Sequence, residues 1–134
     1  MALNNTQIKI FSFLFFSTGI FAIVGALYTW GEGVLFDQTD LSKVLIPYGD
    51  LIVAGPLSLL AGFALWKKNK WGIPLGTMCC GIYIFGGVLV YILLLWTGPP
   101  FPAELVIPPI FGYAISIWFV IWIVKNRINS FNFG

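Results

Sequence analysis

The sequence contains no histidine, only two cysteines and few charged residues. Without His there is no bis-His haem, no His metal site and no His-based acid–base catalysis. Cys79 and Cys80 are adjacent, too few for a disulfide scaffold and without the C-x-x-C spacing of a thiol oxidoreductase. On a helix they point about 100° apart, which argues against a bond between them. There is no P-loop, no G-x-S-x-G and no cluster of metal-ligating residues. No catalytic residue, metal or cofactor is expected. Charged residues make up 9% of the 134, against roughly 25% in an average soluble domain. So few charges cannot clothe a soluble globule, and seven cations cannot form a nucleic-acid surface. Disorder is excluded as well, because it needs low hydrophobicity and high charge.

What is present is apolar. Hydrophobic residues make up 59% and aromatics 18%, and mean hydropathy is +0.94. Four runs are long enough to span a bilayer, which takes about 20 residues each. They cover about 10–30, 44–66, 71–96 and 103–124. None alternates with period two, which excludes the β-barrel pattern. The expected fold class is all-α: a polytopic membrane protein, an antiparallel four-transmembrane-helix bundle, with 1–134 as a single transmembrane domain. Lys67-Lys68-Asn69-Lys70 predicts a tight hairpin between the second and third helices. Thr97-Gly98-Pro99-Pro100-Phe101-Pro102 predicts a turn that is not helical throughout.

Charge sets direction. Lys9, Lys67, Lys68, Lys70, Lys125 and Arg127 fall on one side of the four-span layout. Glu32, Asp37, Asp40, Asp50 and Glu104 fall on the other, with Lys43 the one cation against the trend. The positive-inside rule then predicts a multi-pass protein of the cell membrane with both termini cytoplasmic. A competing expectation is that the first run is a signal peptide cleaved after Val24-Gly25-Ala26. Its length and the interfacial anchor Trp30 favour retention.

Close approach over small residues holds helices together in lipid. Helix 2 carries Ala54, Ser58 and Gly62 at spacing four, and helix 3 carries Gly72, Gly76 and Cys80. Helix 1 carries Thr18, Ala22 and Ala26 with Gly25 beside them. Gly72 to Gly76 is a G-x-x-x-G, which serves either a dimer face or packing within one chain. Pro56 should kink helix 2 or interrupt a hydrogen bond. Pro108 and Pro109 predict that 103–109 is either helical or re-entrant at membrane depth. Trp30, Trp66, Trp71 and Trp96 mark helix ends. Trp118 and Trp122 read as lipid-facing or interfacial aromatics, with a stacked ligand platform as the alternative.

Asp50 and Glu104 are the acids nearest the membrane interior, where ionisable groups are costly and call for a role. With Tyr48 and Tyr113 they form the candidate ion- or solute-binding set near an outer mouth. The competing account is that both acids sit in first helical turns and complement the positive end of the macrodipole. Tyr83 and Tyr91, with Ser58, Thr77 and Ser116, either line a polar path or bond between helices.

Three functions follow. The first is a structural or accessory membrane protein that associates with itself or a larger membrane complex. The second is an ion or small-solute permeation protein with an outward-facing carboxylate site. The third is a lipid- or quinone-handling enzyme, for which no residue constellation speaks. The expected partners are the lipid bilayer and a homo-oligomer or larger complex, with no nucleic acid.

Overall fold

The structure is a computed structural model. It describes residues 5–32, 45, 48–128 and 133, with Glu104 placed by its backbone only. Every described element is helical, and the four helices run antiparallel in sequence. Helix α1 is Asn5–Gly31. Helix α2 is Asp50–Trp66, wound as a π turn over Asp50–Ala54 and as α-helix over Gly55–Trp66. Helix α3 is Gly72–Thr97 and helix α4 is Ala103–Asn126. Three of them, α1, α3 and α4, are long and apolar enough to cross a membrane. Helix α2 is apolar but shorter, about 25 Å at ~1.5 Å per residue. Residues 44, 46 and 47 of its expected span lie outside the described residues. Among the described residues the chain is thus an all-α bundle of four antiparallel helices with the apolar character of an integral membrane protein.

The π turn has a cause in the sequence. Pro56 has no N–H and its ring crowds the carbonyl four residues back, Ile52. Widening the preceding turn relieves that crowding, and the Gly55 N–H bonds back five residues to the Asp50 carbonyl. The expected interruption is therefore a change of winding. Pro108 and Pro109 give the opposite outcome. Helix α4 runs through both, so the helical alternative for 103–109 holds and the re-entrant one does not. The Tyr91 hydroxyl donates to the Val106 carbonyl at 3.0 Å, tying α3 to the first turns of α4.

The hairpin between α2 and α3 closes through local bonds. Lys68 is left-handed at φ 53°, which lets the Asn69 N–H reach the Ala64 carbonyl at 2.8 Å. The Asn69 side chain then accepts the Trp71 N–H at 3.0 Å. After α3, Gly98 takes φ +78°, the turn expected of the proline-rich segment.

Helix α1 lies on α2, α2 on α3, and α3 on α4. The inward face of α1 is Ile8, Phe11, Ser12, Phe15, Gly19, Ala22 and Ala26, with its large side chains toward the start of the helix and its small ones toward the end. At its small end, a Cβ on Gly19 would sit 3.0 Å from the Gly55 carbonyl oxygen. The backbones of α1 and α2 therefore nearly touch. Of the expected stripe Thr18, Ala22 and Ala26, the two alanines are buried, Thr18 is half-buried beside the buried Gly19, and Gly25 points outward with nothing within 4 Å. A four-residue repeat on helix 1 identified Ala22 and Ala26 but could not say which glycine completed the face.

At the basic end, rings fill the space between α1 and α4. Phe11 lies 4.8 Å from Trp118, 5.2 Å from Phe119 and 4.9 Å from Trp122 by ring centroids. Phe15 meets Phe119 edge-on at 5.1 Å. Trp122 is only 3% exposed and its indole donates to the Gln7 side chain at 3.1 Å. Trp122 is thus a core residue, not the lipid-facing or interfacial one expected. Trp118, one turn earlier, meets Phe11 at a 55° tilt and remains half-exposed. The chain then turns at Arg127, left-handed at φ 51°, and Ile128 and Phe133 are buried beneath the aromatic cluster. Phe133 meets Trp122 edge-on at 6.5 Å.

Candidate functional site

The expected ion or solute set is Asp50, Glu104, Tyr48 and Tyr113. Asp50 is half-buried in the π turn that opens α2, and that turn packs against α1 and α3. Tyr48 precedes it and is exposed. Tyr113 sits elsewhere, half-buried on α4, with its ring beside Gly87 and 5.9 Å from Tyr91. No described hydrogen bond or ring contact joins Asp50 to Tyr113. Glu104 belongs to the first turn of α4 by its backbone, and its side chain lies outside the described atoms. Among the described residues, no group of three His, Cys, Asp or Glu is placed to hold a metal ion.

The polar groups inside the helices are occupied with one another. The Ser12 hydroxyl donates to the Gly62 carbonyl at 2.6 Å, across the α1–α2 seam. That bond requires Gly62 to lack a side chain, since a Cβ there would lie 2.9 Å from the Phe16 ring. Ser58 is fully buried and shares a 2.5 Å hydrogen bond with the Tyr83 hydroxyl, tying α2 to α3. The Ser116 hydroxyl reaches the Gly112 carbonyl at 2.7 Å and the Cys80 carbonyl at 3.4 Å. Thr77 bonds back to Ile73 at 2.8 Å, and Thr18 to Leu14 at 2.8 Å. No buried side-chain nitrogen or oxygen among the described residues lacks a partner. Tyr83 and Ser116 thus serve as bonds between helices.

The small residues point into the same seams. Ala54, Ser58 and Gly62 are all buried on α2. On α3, Gly72 packs against Leu65, and a Cβ on Gly76 would lie 2.5 Å from the Phe119 ring. Cys79 and Cys80 are free thiols, both buried. Gly19, Gly55, Gln7 and Ser12 also carry the packing and were not singled out from the sequence. Gly19 falls four residues after Phe15 on the inward face of α1, a signal obscured by the run of aromatics around it.

The best-formed depressions are open grooves on the outside of the bundle. One lies between α1 and α2 at the basic end and is lined by Ser12, Phe13, Phe16, Phe63, Trp66 and Lys67. The other runs along α1 alone, from Ser17 to Tyr28. Comparison with known protein families, with curated proteins and with solved structures finds no match.

Proposed function

We propose that this chain is a structural or accessory protein of the cell membrane, acting through association with itself or with a larger membrane complex. The supporting observation is the closed hydrogen-bond inventory of the interior: each buried polar side chain described is satisfied within the bundle. A permeant solute needs groups free to replace its hydration, and the seams instead hold glycine, alanine and interlocked rings. The outward faces stay apolar along all four helices, as a lipid- or partner-facing surface requires. The packing of Phe11 and Phe15 against Phe119 supports a role for α1 in the bundle. Both termini are assigned to the cytoplasm on the charge asymmetry.

The alternative, permeation past an outward-facing carboxylate, has one observation in its favour. Asp50 is a half-buried acid in a π turn, a form of winding common at functional sites. Purified protein in liposomes, compared with Asp50→Asn, separates the two. A structural role predicts no cation or small-solute flux from either protein, and a fixed crosslinked species in the native membrane. Flux that disappears in Asp50→Asn would replace the structural reading with the permeation one. Cysteines introduced at Lys70 and Glu32 check the orientation: the first should label only from the cytoplasmic side, the second only from outside.

A further inference from the structure

The groove between α1 and α2 ends among cations. The ammonium of Lys9 lies over the Trp66 ring, 5.9 Å from its centroid. The ammonium of Lys67 lies over the Phe63 ring, also at 5.9 Å. Lys67 lines the groove, and Lys9 lies over Trp66, another of its lining residues. Lys68, by contrast, is engaged with the Asn5 side chain at 2.5 Å. Among the described residues Lys9 and Lys67 make ring contacts but no hydrogen bond, so their N–H donors remain available. The described acids, Glu32 and Asp50, lie at the opposite ends of α1 and α2. No described carboxylate competes for these two ammoniums.

Below the rim the groove is apolar. Phe13 and Phe63 are exposed on its flanks, and Phe16 is half-buried between them. Its one hydroxyl, Ser12, is turned inward onto Gly62. The groove is an open depression of about 460 Å³ on the outer face of α1 and α2. Two cations above an apolar trough on a membrane-facing surface match the two halves of an anionic phospholipid. Lysine stems also lie along apolar surface while their charged heads reach the headgroup level, which suits Lys67 over Phe63.

We propose that this groove binds one anionic phospholipid, its phosphate held by Lys9 and Lys67 and one acyl chain lying along Phe13, Phe16 and Phe63. The site is independent of the structural role proposed above. A bilayer lipid held there would bridge α1 and α2 at the end where α1 also faces the aromatic cluster.

The test uses the full chain in a non-ionic detergent, titrated with dioleoyl-phosphatidylglycerol or with dioleoyl-phosphatidylcholine and read by native mass spectrometry. One phosphatidylglycerol per chain should be retained in preference to phosphatidylcholine. The double variant Lys9→Gln/Lys67→Gln should weaken that binding about thirtyfold, from the loss of two cations near a membrane surface. Lys70→Gln/Lys125→Gln removes the same charge from the same end but outside the groove, and should leave affinity within about threefold. Headgroup alone, as glycerophosphoglycerol, should compete poorly because it leaves the trough empty. Equal loss in the two double variants would reduce the effect to diffuse attraction and overturn the site. Equal retention of phosphatidylcholine would overturn the role of the two lysines. Effective competition by glycerophosphoglycerol would overturn the role of the trough. All four lysines are exposed, so these variants leave the packed core intact.

Discussion

The G-x-x-x-G of α3 offers a sharp test of how the bundle is built. Gly76 faces Phe119, and a Cβ there would lie 2.5 Å from Cζ and 2.8 Å from Cε1 of that ring. In Gly76→Ala the ring must retreat about 1 Å to regain ordinary contact. It has nowhere to go. Phe119 is fully buried, with Phe11 at 5.2 Å, Phe15 at 5.1 Å and Trp122 at 5.7 Å. Overpacking of this kind costs about 1–3 kcal/mol. Replacing Gly by Ala also raises helix propensity, by up to about 1 kcal/mol, which would mask part of the loss. Gly81 supplies the correction: it lies on the same helix with nothing within 4 Å of its added Cβ. Gly76→Ala should therefore be about 1–3 kcal/mol less stable than Gly81→Ala, measured by denaturant or thermal unfolding in detergent. Phe119→Leu, which shortens the opposing side chain, should recover part of that difference in the Gly76→Ala background. Equal stability of the two alanine variants would refute the packing account. Loss of a dimer at unchanged chain stability would assign the motif to association between chains.

Two further outcomes follow from the hydrogen bonds. Tyr83→Phe leaves the buried Ser58 hydroxyl without its partner, and should cost about 1–2 kcal/mol. In the double variant with Ser58→Ala, the second substitution should add little; additive losses in a double-mutant cycle would show that the two hydroxyls act separately. Asn69→Ala removes the side-chain acceptor for the Trp71 N–H at the head of α3. It should cost about 1 kcal/mol in the same unfolding assay, with Asn69→Asp retaining most of the stability. A neutral Asn69→Ala would mean that backbone bonds alone close the hairpin.

The helices themselves were legible in the sequence, because a long apolar run leaves the backbone no solvent partner and only a helix satisfies it internally. The 67–70 turn was legible for the same kind of reason: a short polar break between two apolar runs must reverse the chain. Faces were only partly legible. Ala22 and Ala26 follow from spacing, but Gly19 and Gly25 are both plausible neighbours until α2 is placed against α1. Trp122 was misread because an aromatic near a helix end suits a headgroup, and nothing local reveals that Gln7 waits 115 positions earlier to accept its N–H. Of the candidate acid–tyrosine set, spacing along the chain could not say which neighbours each member would meet. Asp50 opens α2 while Tyr113 lies well inside α4 beside Gly87 and Tyr91, neighbours that only helix packing supplies.

By itself, the sequence determined the apolar, all-helical class of the protein and where its long helices lie. These depend on hydropathy and charge summed along single segments, which no partner can alter. Only the tertiary structure decided which glycines let backbones meet, and that the basic end of the bundle is filled by rings. It also set two free lysines over an apolar trough. Those are properties of pairs of surfaces, fixed by rotation of one helix against another, and lipid exerts no hydrophobic force that would set that rotation from the sequence pattern alone.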